Sequence, residues 1–182
     1  MGRDKAWLEL GGATMIARVV AALRPVTDRV TIIANRPEYA RLNLPVVADT
    51  HSGIGPLEAI RTALASSQQP RVVLAGCDLP FVTAQLFAHL LRVGDGAQAV
   101  VPMDAGGRLE PLCAIYSTAA LHAVSELIAN GDRKVSRLFD RIPTRFVAFR
   151  EIQHLADAML FFENINSPAD YQQAIEYLKK PV

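Results

Sequence analysis

One stretch constrains this chain more than any other: Val72-Val73-Leu74-Ala75-Gly76-Cys77-Asp78-Leu79-Pro80-Phe81, a dense apolar run that stops on an acid. Strands buried on both faces of a parallel sheet read as unbroken Val/Leu/Ala runs, and open α/β sheets bind ligands beyond the carboxyl ends of their strands. The run therefore predicts a central strand that delivers the Asp78 carboxylate to a cleft. Gly76 leaves room for a close approach, and Pro80 fixes where the ladder stops. A capping role is the competing reading for Asp78, but Thr83 is better placed to cap the helix that follows.

The periods on either side of this stretch alternate between helix and strand. Trp7-Leu8-Glu9-Leu10 before Gly11-Gly12 predicts a short strand turned by glycine, in an opening too polar to be core. Met15, Ile16, Val19, Val20 and Leu23 recur at helical spacing. Val30 to Ala34 and Pro45 to Ala48 predict strands ending at Asn35 and at Asp49, a second acid at a strand end. Thr50-His51-Ser52-Gly53-Ile54-Gly55-Pro56-Leu57 is a glycine-punctuated loop entering a helix, an arrangement that offers backbone N–H groups and a helix dipole to an anion or a base.

Beyond Thr83 come a helix to about Leu91, a strand Ala99 to Pro102, a turn at Asp104 to Arg108, and a partner strand from Glu110 to Tyr116. Thr118 to Ile128 predicts a helix closed by Asn130-Gly131. Arg133 and Lys134 at the next helix start read equally as a solvated turn or as a phosphate contact. Thr144 to Phe149 and Leu160-Phe161-Phe162 predict strands. The turn Asn164-Ile165-Asn166-Ser167-Pro168 leads into a closing helix capped by Ser167. Strand–helix alternation of this kind predicts one three-layer α/β/α domain over residues 1–182.

Composition narrows the function. A chain of 182 residues, 51% hydrophobic, can bury one substantial core. Its 19 basic and 18 acidic residues leave a net charge of +1, so it lacks the electrostatic footprint of a nucleic-acid or membrane-surface protein. Cys77 and Cys113 have no metal-ligand spacing and predict structural thiols in a reducing compartment. No run is long enough to span a membrane and no apolar signal core opens the sequence, so the expected location is the cytoplasm. The G-x-S-x-G elbow and the G-x-G-x-x-G fingerprint are absent, which disfavours nucleophilic and hydride-transfer chemistry. Two carboxylates at strand ends, a glycine loop opening a helix and an early lysine suggest a magnesium-assisted reaction on a phosphate-bearing substrate.

Five segments, in order along nearly the whole chain, carry a resemblance: Met1-Gly2-Arg3-Asp4-Lys5-Ala6; Ala48-Asp49 with Gly55-Pro56-Leu57; Cys77-Asp78-Leu79-Pro80-Phe81; Glu110-Pro111-Leu112 before Ala114-Ile115-Tyr116; and Asn164-Ile165-Asn166-Ser167-Pro168-Ala169-Asp170. The sequence resembles the MobA-like molybdenum cofactor guanylyltransferases, which have a nucleotide-diphospho-sugar transferase fold. The resemblance implies a mostly parallel sheet, with Lys5 on the nucleotide phosphates and Asp78 binding Mg2+ and the triphosphate. Asp49, Gly55, Pro56 and Leu57 would complete the nucleotide site. Asn164 and Asn166 match a late turn that faces the metal and the acceptor, with a hydrogen-bonded Asx turn as the equal alternative; for Asn35 the turn reading leads.

The implied reaction is attack of a molybdopterin phosphate on the α-phosphate of GTP, with release of pyrophosphate. The substrates implied are GTP and a molybdopterin-type acceptor, with molybdoenzyme maturation proteins as further partners. CTP-dependent transfer to the same cofactor, transfer to another small metabolite, and a non-catalytic cofactor-binding or assembly role are the alternatives. In the family the M-G-x-D-K segment ends a longer signature, L-x-G-G-x-S-x-R-M-G-x-D-K, preceded by a strand. The sequence here starts at that methionine, so the expectation is a sheet lacking its first strand, with either a longer natural protein or an incomplete triphosphate loop.

Overall fold

The computed structural model describes residues 4–49 and 53–179. Asp4 caps a 3-10 turn at Lys5–Trp7 by accepting from the Ala6 N–H. Strands β1 (Glu9–Leu10) and β2 (Ala13–Thr14) pair antiparallel around Gly11 and Gly12, whose φ of 62° and 81° suit residues without a Cβ. Helix α1 (Met15–Leu23) starts where the Thr14 hydroxyl accepts from the Ala17 N–H. The opening segment is less polar in its setting than its composition predicts, because Ala6 and Leu10 are fully buried against the helices.

β3 (Ile32–Ile33) and β4 (Val46–Val47) pair parallel, joined by a 3-10 segment at Pro37–Leu42. Next come α2 (Pro56–Ser66), β5 (Arg71–Ala75), α3 (Ala84–Val93) capped by Thr83, β6 (Ala99–Pro102) and β7 (Cys113–Ser117). α4 (Leu121–Ala129), α5 (Ser136–Phe139), β8 (Thr144–Val147), α6 (Phe149–Ile152) and α7 (Pro168–Lys179) complete the chain.

The larger sheet has the order β5-β7-β6-β8. β5 and β6 each run antiparallel to β7, and β8 runs parallel to β6, so β7 alone is reversed. The pleat divides the core between two faces. Val73, Ala75, Cys113 and Ile115 face α1 and α3, with Phe87, Phe161 and Leu90 filling that layer. Val72, Leu74, Ala114 and Tyr116 face α2 and α4, against Leu57, Ile60, Leu64 and Leu127. Helices on both faces of one sheet give the three-layer α/β/α architecture. Each fully buried Leu or Phe in these layers contributes about 1.5–3 kcal/mol.

Two expectations change. The run Leu160-Phe161-Phe162 predicts a strand, but a 3-10 turn at Ala158–Leu160 drives Phe161 and Phe162 into the core as an edge-to-face pair with centroids 6.2 Å apart. A three-residue apolar run has no readable period, so burial alone made it look extended. β5, predicted to be buried on both faces, is half-buried at every position. It is an edge strand whose ladder is to β7, and among the described residues no ladder joins it to the β3–β4 pair, so the sheet is interrupted between them.

Candidate active site

Asp78 reaches the site because the β5 backbone ends in a tight turn. The Gly76 N–H donates to the Leu112 carbonyl, extending the β5–β7 pairing, and the Leu79 N–H returns to the Gly76 carbonyl. A Cβ at residue 76 would lie 2.6 Å from Asp78 Oδ1, closer than real Cβ contacts come. Only glycine lets the carboxylate fold back over its own turn.

Three side chains meet there. Lys5 Nζ donates to Asp78 Oδ2 at 3.2 Å and to Asn166 Oδ1 at 2.6 Å. The Lys5 and Asp78 side chains are 33% and 26% exposed, so the ion pair is open to a ligand. Lys5 is delivered by the capped turn, and Asp4 is itself held: Tyr39 donates its hydroxyl to Asp4 Oδ2 at 2.9 Å, with Arg36 Nη1 at 3.6 Å. Burial, then the hydrogen bond to Asp4, pushes the Tyr39 phenol far above its ordinary value, so it remains a donor.

The Asn164–Asn166 turn is fastened to the same place. The Ile165 N–H donates to the Asp78 carbonyl, and Asp170 Oδ2 accepts from the Asn166 and Ser167 N–H groups at 2.9 and 2.8 Å. Asn166 therefore joins Lys5 and Asp78, while Asn164 turns its amide toward the Phe162 carbonyl at 3.5 Å and toward Glu110.

The Asp49 and Gly55 region is built from backbone. Gly55 sits at the N-terminus of α2 with φ 83° and ψ −149°, and Gly55 and Pro56 are exposed. Leu57 is not a lining side chain: it is fully buried among Ile60, Leu64 and Tyr116. Asn35 Oδ1 accepts the Asp49 N–H at 2.8 Å, which gives Asn35 a structural role, while Asp49 Oδ1 is buried with no hydrogen-bond donor. Buried Glu58 chelates Arg61 through Nε and Nη2 at 2.8 and 2.6 Å, next to Asp49. Asp49 and Asp78 are thus held by separate networks. Thr50, His51 and Ser52 of the loop, and Met1, Gly2 and Arg3 of the opening motif, lie outside the described residues.

Glu110 and Asp4 lie within the quoted motifs without an assigned role, and Tyr39, the hydrogen-bond partner of Asp4, is not marked by the sequence. The acid of Met-Gly-Arg-Asp-Lys next to the lysine was the available signal for Asp4; nothing local marked Tyr39. Cys77, beside Asp78, has its thiol pushed up to about 11 by burial and then by the Asp78 charge, and Cys113 is pushed further by complete burial. Both are protonated structural thiols, as expected.

A family model described as a MobA-like NTP transferase domain matches residues 1–146, which include Lys5, Asp49, Asp78 and Glu110. The chain belongs to this family. It is 31% identical over 176 residues, 97% of this chain and 89% of the relative, to a "probable molybdenum cofactor guanylyltransferase" of Carboxydothermus hydrogenoformans. It is 32% identical over 184 residues, 98% and 90% of the two chains, to the molybdenum cofactor guanylyltransferase of Cereibacter sphaeroides. Among solved structures, molybdopterin-guanine dinucleotide biosynthesis protein A from Archaeoglobus fulgidus superposes with a TM-score of 0.82 at 25% identity, covering 97% of this chain and 91% of that one. A cytidylyltransferase from Thermus thermophilus, at 20% identity and a TM-score of 0.69 over 97% and 94%, shares the fold.

Proposed function

We propose that this MobA-like transferase moves GMP from GTP to the phosphate of a molybdopterin-type acceptor, releasing pyrophosphate. The observation that carries the reading is the Lys5 ammonium held between Asp78 Oδ2 and Asn166 Oδ1 beyond the end of β5. Attack on an α-phosphate spreads charge over non-bridging oxygens and the leaving pyrophosphate, and a positioned cation lowers that charge without reorganising. Lys5 is pre-positioned by the Asp4 cap and can exchange its carboxylate partner for phosphate oxygens. The backbone N–H groups at the start of α2 would take the nucleotide.

The donor set fits Mg2+. Asp78 and Asn166 present hard oxygens, and among the described residues no group of three or more His, Cys, Asp or Glu side chains forms a closed cage. Magnesium commonly takes one or two carboxylates and fills its remaining positions with phosphate oxygens and water. Asp78, with Asn166 beside it, would hold the ion, which when bound supplies charge neutralisation at the phosphates. Lys5 would turn from Asp78 to the phosphates, and the Asn164–Asn166 turn would orient the acceptor.

The assembled lysine–carboxylate pair favours turnover over a non-catalytic carrier role. No helix among the described residues is long and apolar enough to cross a membrane, which is compatible with a cytoplasmic location. The test is pyrophosphate release by the full chain with molybdopterin and GTP or CTP, with and without Mg2+. Release that needs Mg2+ and prefers GTP supports the reading; a preference for CTP overturns the guanylyl assignment.

A further inference from the structure

Glu110 is a buried acid that the proposed chemistry does not use. It lies in the turn entering β7, its N–H donating to the Pro102 carbonyl and its carbonyl accepting from Cys113, so its backbone is fixed. The residue is only 7% exposed, yet Oε1 has no aligned hydrogen-bond donor. Arg108 Nη2 lies 2.7 Å away, close enough for an ion pair but outside hydrogen-bonding geometry; that guanidinium is 60% exposed and is also held by Asp104 Oδ2 at 3.1 Å. The carboxylate also interacts with the Asn164 side chain and with the charge of Asp78, which places it beside the Asn164–Asn166 turn.

An ionised carboxylate only accepts hydrogen bonds, and burying one with an orphaned oxygen is unfavourable until a donor reaches it. Such a group is satisfied by a planar pair of N–H donors. Arg108 offers that donor array imperfectly, from an exposed side chain shared with Asp104 and the Phe162 carbonyl.

We propose that Glu110 is a specificity-determining residue that accepts the adjacent ring N–H and exocyclic NH2 of a 2-amino-4-oxo-pyrimidine ring, with Arg108 covering the carboxylate until the ring arrives. Guanine and pterin share this edge; the Asn164 contact, on the turn proposed to orient the acceptor, assigns it to the pterin. The inference rests on the transfer reading for its choice of substrate. A site built to pair a donor discriminates strongly against an analogue that presents a carbonyl there.

The experiment titrates the full chain and its Glu110→Gln variant with four probes: 6-hydroxymethylpterin, 6-hydroxymethyllumazine, whose C2 bears oxygen in place of NH2, GTP and XTP. In wild type, pterin is expected to bind at least about tenfold tighter than lumazine. Glu110→Gln, which gains an NH2 donor, is expected to reverse that preference and leave the GTP-to-XTP ratio unchanged. Glu110→Asp, which retains charge but falls short, is expected to weaken pterin without gaining lumazine, and it provides the second readout if the Gln variant does not fold. Pterin preference unchanged in both variants, equal loss of both pteridines, or no pterin binding by wild type would overturn the inference. A switch in the GTP-to-XTP ratio would also overturn it, placing the residue on the nucleotide base. Reversal of the pteridine preference in a chain that fails to bind GTP would sustain Glu110 while removing the transfer reading.

Discussion

The two groups of candidate site residues are held by different means. On one, side chains hold side chains: Tyr39 fixes Asp4, Asp4 caps the turn that carries Lys5, Lys5 bridges Asp78 and Asn166, and Asp170 fixes the Asn166 backbone. On the other, Gly55 opens α2 in a conformation that side chains rarely adopt, and Asn35 holds the Asp49 backbone. A group held by reciprocal contacts depends on residue identity, so a single replacement there should affect chemistry. A group held by backbone depends on dihedral freedom, so replacements should affect stability and nucleotide affinity together.

Lys5→Ala breaks the comparison hardest. Removing one preorganised charge at the α-phosphate is expected to cost about 10²–10³-fold in kcat, with unchanged circular dichroism, measured as pyrophosphate release. Gly76→Ala adds a Cβ 2.6 Å from Asp78 Oδ1 and displaces the carboxylate. A displacement near 1 Å is expected to cost up to about 10²-fold in kcat, a loss that the same assay detects. In the group held by backbone, Gly55→Ala meets no atom within 4 Å but is strained by φ 83°. Denaturant titration is expected to show a loss of about 1–2 kcal/mol, with weaker GTP binding and a smaller change in kcat.

The smallest effect concerns pH. The Asp170 carboxyl is held below its ordinary value of 3.8 by hydrogen bonds from the Asn166 and Ser167 N–H groups. A lowered folded-state pKa contributes stability that is present above the ordinary value and is lost as pH falls through the lowered one. Melting curves between about pH 5 and pH 2 are expected to show this decline in wild type and a shallower one in Asp170→Asn. An Asp170→Asn variant with wild-type acid sensitivity would separate the Asn166 turn from this carboxylate.

What was legible in the sequence followed from local chemistry. The apolar run ending at Asp78 announced a strand and its acid, and Thr14, Thr83 and Ser167 announced helix starts because a hydroxyl two or three residues before an amide is a local event. Leu57 was placed in the nucleotide pocket by its motif, but helical spacing to Ile60 and Leu64 commits its side chain to the core. Glu110 showed no function on its own, since its burial and its orphaned oxygen depend on Arg108, Asn164 and the end of β6, contacts that no local pattern announces. The interrupted sheet, and with it the half-burial of β5, likewise depends on long-range pairing.

The measurement that tests the account most directly is pyrophosphate release from GTP and molybdopterin by the full chain and by Asp78→Asn, each across a Mg2+ titration. Asn keeps the shape of the side chain and removes its charge. The account predicts Mg2+-dependent turnover in wild type and a loss of about 10³-fold in the variant with folding intact. Equal Mg2+-dependent turnover in the two proteins would contradict the assignment of Asp78 as the acid around which the site is built.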